Sequence, residues 1–144
     1  MIVRGTAQWA HVFEKSTMSN KYQVDVCNLD KKTVKALTGL GIDVKKGEGD
    51  KADKGNFIIA KAANYPPVVK DRQGNPMDGT VLIGNGSKIK VSLQPYDWTF
   101  KGKSGVGAGL NGLMVTSLVQ WGGADELEPE EDDDDDIGEE SDEL

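Results

Sequence analysis

The sequence predicts a mainly β domain with about five strands and one short helix, followed by a disordered acidic tail. Short runs of alternating apolar and polar residues are typical of half-buried strands, and the 18 glycines suit tight turns between them. Residues 125–144 carry 14 of the 24 acidic residues and no Lys or Arg. A segment with so much charge and so few apolar residues cannot form a packed core. We therefore divide the chain into a domain over residues 1–124 and a disordered tail over residues 125–144.

The first two strands are predicted over residues 2–13 and 21–29. Alternation places one apolar set on a single side of the first strand, namely Val3, Ala7, Trp9 and Phe13. In the second strand, Tyr22, Val24 and Val26 share a face. The polar residues between the two strands have the composition of a hairpin loop.

A short helix is predicted over residues 31–39. Asp30 stands at its start as an N-cap, because its carboxylate can accept hydrogen bonds from the amides of the first turn. Behind it, Val34 and Leu37 lie three residues apart on one helical face. The charged, glycine-punctuated residues 45–55 that follow predict a mobile loop.

The remaining strands are predicted over residues 56–63, 68–71, 87–93 and 110–121. The last of these is apolar on both faces, which predicts a central position in the sheet, and the glycine-rich residues 105–112 before it predict a flexible loop that closes over a ligand. Five or so strands with one short helix, and a last strand that is apolar on both faces, favour a five-stranded OB-type barrel. The helix here precedes the third strand, whereas the simplest OB order places it after that strand.

The charges of the two parts are opposed. Residues 1–124 keep 10 acids against all 17 Lys and Arg residues, a net charge of +7, while the tail carries −14. This distribution predicts a basic domain that binds a polyanion and a tethered tail that competes with it. The alternative is an acidic end that only aids solubility.

Residues 88–103 combine lysines with aromatic residues in the manner of a surface for single-stranded nucleic acid. Exposed rings stack on bases, and lysines neutralise phosphates. A duplex hides its base faces, so the pattern favours single strands, of DNA or, as the open alternative, of RNA. Arg4, Lys61, Lys70 and Arg72 are weaker candidates for phosphate contacts, and the alternative for the rings is a place in the core. The predicted DNA-binding residues are Lys88, Lys90, Tyr96, Trp98, Lys101, Lys103, Arg4, Trp9 and Tyr22.

The sequence offers little for catalysis. A single His11 and a single Cys27 cannot form a disulfide, a usual Cys/His zinc site or an evident nucleophilic triad. Gly107, Gly109 and Gly112 match the G-x-G-x-x-G spacing, but the segment after them is β-like, which argues against a dinucleotide site. We expect a protein that is not an enzyme and has no metal or cofactor; a Mg²⁺-dependent nuclease is the weaker alternative. No apolar run is long enough to cross a membrane, so we expect a cytoplasmic protein.

Several motifs resemble the single-stranded DNA-binding proteins of short-tailed (podovirus) bacteriophages. The resemblance covers about residues 66–144, is loose before them, and is carried by residues 83–91, 95–98, 113–115 and 121–123 ahead of the acidic tail. It implies an OB fold that coats single strands in phage DNA replication, recombination and repair, in the cytoplasm of the infected host. Lys88, Lys90, Tyr96 and Trp98 fall on the motif positions.

The resemblance also implies partners. The tail would contact the phage DNA polymerase and the primase-helicase, and the protein would often be a homodimer. The residues expected to bind partners are Asp132, Asp133, Asp134, Asp135, Asp136 and Leu144; the family tail commonly ends in an aromatic residue where this chain has Leu144. The alternative from another class is a non-enzymatic acidic adaptor whose tail binds basic proteins and whose barrel is a scaffold.

Overall fold

The computed structural model describes residues 1–121. The predicted division at residue 124, the predicted disordered tail and the residues expected to bind partners, Asp132 to Asp136 and Leu144, lie outside the described residues. The elements are β1 (Ile2–His11), β2 (Tyr22–Cys27), α1 (Lys31–Gly39), β3 (Lys45–Lys46), a 3₁₀ helix (Gly49–Lys54), β4 (Asn56–Ala62), β5 (Val68–Lys70), β6 (Leu82–Ile83), β7 (Lys88–Phe100), β8 (Lys103–Ser117) and β9 (Gln120–Trp121).

Five of these strands close into a barrel. β1 pairs with β2 and β7, β2 pairs with β4, and β7 pairs with β8, all antiparallel. The ring closes where β4 runs parallel to β8, with Ala60 opposite Ala108 and Lys61 opposite Gly109. The predicted five-stranded barrel is therefore confirmed. α1 lies between β2 and β4, before the third barrel strand, as its position in the sequence indicated.

The core follows the alternation of the barrel strands. On β7, Ile89, Val91 and Leu93 point inward and are at most 2% exposed, while the residues between them face outward. β1, β2, β4 and β8 contribute in the same way, with a buried set that includes Val3, Ala7, Val24, Val26, Ile58, Ala60, Ala108, Leu110, Leu113 and Val115. Burying apolar side chains inside a closed ring leaves the outward positions of these strands for contacts with a ligand.

Helix α1 begins at Lys31, directly after Asp30, as the predicted N-cap indicated. The Thr33 amide donates to Asp30 Oδ1 at 2.8 Å, and this bond lowers the pKa of the Asp30 carboxyl because it stabilises the charged form. Leu37 is fully buried and anchors the helix to the barrel. After the helix, Gly41 adopts a φ of +84°, in the left-handed region where glycine is favoured, and its N–H donates to the Thr38 carbonyl at 2.9 Å.

The prediction of a mobile loop over residues 45–55 is wrong. This segment holds β3 and the 3₁₀ helix, and it covers the outside of β2. Lys54 Nζ donates to Asp25 Oδ2 at 2.5 Å, and the two residues are 7% and 5% exposed. The Lys54 ammonium also lies 4.7 Å from the centroid of the Phe57 ring. A charge-rich segment is held in place here because one of its charges finds a buried partner.

The prediction of a flexible glycine loop over residues 105–112 is also wrong. These residues belong to β8 and pair one after another with β7. β7 continues to Phe100 rather than ending at Leu93, β8 runs over 103–117 rather than 110–121, and Trp121 lies in the separate strand β9, which pairs with β6. The two long strands form a hairpin that extends from the barrel. The glycines are compatible with a strand because aromatic rings of β7 occupy the space that their missing side chains leave.

Candidate nucleic-acid interface

Two aromatic rings of β7 lie over two glycines of β8. Tyr96 pairs with Gly107 and Trp98 pairs with Gly105. A Cβ atom on Gly107 would lie 2.6 Å from Tyr96 Cζ, and one on Gly105 would lie 2.6 Å from Trp98 Cζ2. Both values are below any carbon–carbon contact distance, so only glycine admits the rings at these positions. We call these four residues the ring platform.

The ring platform is on the surface. Tyr96 is 36% and Trp98 is 40% exposed, so each ring rests on the sheet with one side and meets solvent with the other. The alternative that these two rings belong to the core is therefore wrong. Phe100, two residues further along β7, is 65% exposed. Flat rings open on one side are the arrangement that stacks on unpaired bases.

A groove runs beside the ring platform. Tyr96 and Trp98 open onto a cleft of about 240 Å³ with Lys45, Lys61 and apolar residues of β4 and β8. A second cleft of about 310 Å³ shares Tyr96 and Lys61 with the first. We call the two clefts together the groove. Its charged lining residues are Lys45, Lys61 and Asp43, and Asp43 lies 3.6 Å from the Lys45 ammonium. The groove therefore combines rings with a small excess of positive charge.

The tip of the β7–β8 hairpin presents two more predicted lysines. Lys101 and Gly102 have φ values of +50° and +79°, as a two-residue type I′ turn requires. The Lys101 ammonium lies 5.2 Å from the centroid of the Phe100 ring, within cation–π range. Lys103 is exposed at the start of β8. The tip thus places cations close to the ring platform.

Three predicted cations form a cluster on the barrel. Arg4 of β1 stands directly opposite Lys90 of β7, and Lys88 is two residues away on the same face. Within residues 1–121 none of the three takes part in an ion pair. Like charges directly opposite one another destabilise a sheet, which an anionic ligand would relieve. Alternation places Lys90 on the same face of β7 as Tyr96, which lies six positions further along the strand, a distance of about 20 Å.

Trp9 lies apart from the groove. It is 51% exposed, although alternation with Val3 and Ala7 would place it in the core. The β1–β2 ladder is irregular between Gln8 and His11, Trp9 has a φ of +50°, and its N–H donates to Asn85 Oδ1 at 2.8 Å. This bulge turns the ring outward. Trp9 lines a different cleft, of about 540 Å³, whose lining includes Glu14, Lys15 and Asp78 and shares no residue with the lining of the groove.

Tyr22 is half-buried at the start of β2. The Lys15 ammonium lies 5.8 Å from the centroid of its ring. Tyr22 pairs with Ala62 of β4 and is not part of the lining of the groove. The structure therefore brings Tyr96, Trp98, Lys101 and Lys103 together, gathers Arg4, Lys88 and Lys90 into a second group, and leaves Trp9 and Tyr22 outside both.

Sequence reasoning missed two residues of the groove and gave little weight to a third. Lys45 was assigned to the supposed mobile loop. Tyr65, which is 81% exposed, is not among the residues that the sequence predicts to bind DNA. Lys61 was one weak candidate among several. The available signal was its position on β4, where it follows the buried Ile58 and Ala60 in an alternating pattern and must point outward.

Residues 1–121 contain few groups suited to metal binding or nucleophilic chemistry. Residues 1–121 contain no group of three or more His, Cys, Asp or Glu side chains that could hold a metal ion. Burial and the nearby Asp25 carboxylate raise the pKa of the Cys27 thiol to about 12, so this thiol is protonated and unreactive at neutral pH. No helix of the described part of the chain is long and apolar enough to cross a membrane.

Comparison with known sequences finds relatives for part of the chain. No protein-family model matches it. The chain is 40% identical over 68 residues to a single-stranded DNA-binding protein of Escherichia phage T7, a match that covers 42% of this chain and 29% of that protein. It is 38% identical over 63 residues to the corresponding protein of Enterobacteria phage T3, over 42% of this chain and 27% of that protein. The chain thus spans less than a third of the length of the curated relatives it matches.

Comparison with solved structures covers most of the chain. The crystal structure of gp2.5, a single-stranded DNA-binding protein of bacteriophage T7, matches with a TM-score of 0.60 at 22% identity, over 88% of this chain and 90% of that one. The single-stranded DNA-binding protein of bacteriophage Enc34, solved in complex with single-stranded DNA, matches with a TM-score of 0.62 at 13% identity, over 81% and 86%. The chain is thus similar in sequence to the phage T7 and T3 proteins over 42% of its length, and over most of its length it has the fold of the T7 and Enc34 single-stranded DNA-binding proteins.

Proposed function

We propose that this protein binds single-stranded DNA with little dependence on sequence. The observation that carries the proposal is the ring platform, where Tyr96 and Trp98 are held open to solvent above Gly107 and Gly105. The phage T7 and T3 relatives are described as single-stranded DNA-binding proteins, and the Enc34 protein was solved in complex with single-stranded DNA. Both observations support the same ligand. No catalytic step is part of the proposal.

Bases would stack on Tyr96 and Trp98, while lysines would neutralise the backbone. Stacking contributes about 1–3 kcal/mol per base and tolerates any base, because each has a π-face. Lys61 and Lys45 line the groove, and Lys101 and Lys103 stand at the hairpin tip, so phosphates on either side of the stacked bases meet cations. A duplex cannot use the rings without first separating its strands.

The cluster of Arg4, Lys88 and Lys90 extends the surface along β7. These side chains would hold phosphates of the strand beyond the ring platform, and binding would relieve the repulsion between Arg4 and the directly opposite Lys90. Each phosphate contact releases counterions, so affinity falls steeply as salt rises. Trp9 and Tyr22 would contribute only if the strand continues past the groove.

The finer roles are part of the same proposal. The protein would act in phage DNA replication, recombination and repair in the host cytoplasm. Its acidic stretch, with Asp132 to Asp136 and Leu144, would compete with DNA for the basic surface and recruit the phage DNA polymerase and primase-helicase. Homodimerisation would suit a protein that coats strands cooperatively. The support is the opposed charge of residues 1–124 and 125–144 together with the relationship to phage proteins.

The test is a titration with fluorescently labelled oligo(dT), read by anisotropy. We expect Trp98→Ala to weaken binding about tenfold, with Trp98→Phe close to wild type because the ring remains. A protein that ends at Ala124 should bind more tightly than the full chain. Raising salt from 50 to 200 mM should weaken binding by more than about threefold. Absence of binding by the full and the shortened protein would refute the proposal and favour the acidic adaptor.

A further inference from the structure

The second cleft of the groove lies under a short arch between two strands. β4 leaves β8 where Lys61 pairs with Gly109, and β5 rejoins β8 where Val68 pairs with Gly112. Residues 63–67 connect these two points. The cleft, of about 310 Å³, opens between this arch on one side and Gln94 and Tyr96 of β7 on the other, with Gly109 and Leu110 of β8 between them. We call it the Tyr65 cleft.

The chemistry of the Tyr65 cleft is that of a nucleotide site. Its two walls each supply a tyrosine, Tyr65 from the arch and Tyr96 from β7, and its single charged lining residue is Lys61. Three of its other lining residues carry amide side chains: Asn64, Gln94 and Asn111. The two rings suit stacking on a base, the Lys61 ammonium suits a phosphate, and the amides suit hydrogen bonds with the polar edge of the base. The Trp9 cleft, by contrast, mixes acids with its cations.

We propose that the Tyr65 cleft takes up one nucleobase of the bound strand between Tyr65 and Tyr96, with its polar edge toward the amides. This inference rests on the proposed function and adds a second stacking ring to the proposed site. On Trp98 a base would meet one ring only, whereas between Tyr65 and Tyr96 it would meet a ring on each side. Tyr65 then becomes a DNA-binding residue.

The Tyr96 ring and the Tyr65 backbone are both restrained before any ligand arrives. Tyr96 lies over Gly107, and its Cδ1 would be 3.4 Å from a Cβ atom on Gly109, so its position is set by the sheet. Tyr65 directly precedes Pro66 and Pro67, and a residue before proline is restricted to extended backbone conformations. A ring that is 81% exposed on a restrained backbone loses less freedom on binding than one on a flexible loop.

The amides make the Tyr65 cleft sensitive to the identity of the base. An Asn or Gln side chain offers an acceptor beside two donors, and such a side chain can pair in a bidentate way with the edge of adenine. A base held here therefore has its edge recognised, unlike a base stacked on Trp98. We expect a modest preference among homopolymers superimposed on binding that is otherwise independent of sequence.

The experiment compares the full chain with Tyr65→Ala, Tyr65→Phe and Trp98→Ala on labelled oligo(dT) and on a strand of equal length whose sugars lack bases. Because Tyr65 is so exposed, its replacement should leave the melting temperature unchanged. We expect Tyr65→Ala to weaken binding to oligo(dT) about tenfold and to leave binding to the abasic strand unchanged. Tyr65→Phe keeps the ring and should bind as wild type does.

Each outcome decides between the two proposals. If Trp98→Ala weakens binding to oligo(dT) and Tyr65→Ala does not, the Tyr65 cleft is not a base site while the proposed function stands. If Tyr65→Ala weakens both strands equally, Tyr65 does not stack, and the inference is overturned. If the wild-type chain binds neither strand, the proposed function itself fails.

Base recognition is tested with oligo(dA), oligo(dC) and oligo(dT) of equal length. We expect the wild-type affinities to differ by several-fold, and we expect Gln94→Ala to reduce that spread. Equal affinities in the wild type would show that the amides are only solvated, and would overturn this part of the inference.

Discussion

Replacing Gly107 with alanine should weaken DNA binding without removing any group that touches DNA. The new Cβ atom would lie 2.6 Å from Tyr96 Cζ and 2.7 Å from Tyr96 Oη. Ordinary carbon contacts are about 3.5–4.0 Å, so the ring must move away from the sheet by about 1 Å. Tyr96 is 36% exposed and can swing toward solvent. The ring is thereby retained but displaced from its position on the ring platform.

The magnitude follows from one stacking contact. Loss of a base stack costs about 1–3 kcal/mol, and each 1.4 kcal/mol is tenfold in affinity, so Gly107→Ala should bind between about fivefold and a hundredfold more weakly. Stability should change little, because alanine in a strand regains about 0.5–1 kcal/mol of backbone entropy relative to glycine, which offsets the displaced ring.

The assay is anisotropy with labelled oligo(dT) beside urea unfolding of the same samples. Gly39→Ala is the matched control, because a Cβ atom there meets nothing within 4 Å, and it should bind as wild type does. Tyr96→Ala gives the full loss of the ring. If Gly107→Ala binds as tightly as wild type while Tyr96→Ala binds weakly, the position of the ring above the glycine does not matter, and the reasoning is wrong.

Two further predictions concern the barrel rather than the groove. Lys54→Met leaves the buried Asp25 carboxylate without its partner and should lower the free energy of unfolding in urea by about 3–5 kcal/mol, whereas the double variant with Asp25→Leu should recover most of that loss; an unchanged single variant would contradict the buried pair. Because the pKa of Cys27 is raised from 9.0 to about 12, its contribution to stability is complete below pH 9 and is lost as pH rises toward 12. At pH 8 the folded protein should therefore react with iodoacetamide far more slowly than the protein in urea, and equally fast reaction would show an accessible thiolate.

The sequence predicted best where the decisive contacts are local. Asp30 caps α1 by accepting a hydrogen bond from the Thr33 amide, only three residues along the chain. The helix has the predicted bounds. The alternation of Ile89, Val91 and Leu93 likewise identified a barrel strand, because one strand carries the whole pattern. The five-stranded barrel followed from counting such strands.

Prediction from the sequence failed where contacts with residues far away in the chain determine the local structure. Residues 105–112 resemble a loop until Tyr96 and Trp98 are placed over them by the pairing of β7 with β8. The charge of Lys54 predicts an exposed side chain, but in the structure Lys54 is buried against Asp25, 29 residues away in the chain. Alternation assigns Trp9 to the inward face of β1, but the strand bulges at this point and the Trp9 amide donates to Asn85. None of these partners can be read from the neighbouring residues.

The pairing of β8 has a consequence for the order in which the protein becomes active. β8 closes the barrel against β4, supports β5 and carries the glycines beneath the rings, yet it is the last barrel strand that the ribosome makes. A nascent chain that has reached Phe100 already contains the rings and most of the lysines but has no surface on which to arrange them. The groove can form only after Ser117 has been added, and the acidic stretch that begins at Asp125 follows within a few residues. The strand that completes the cationic groove and the acidic stretch of opposite charge are therefore synthesised almost together.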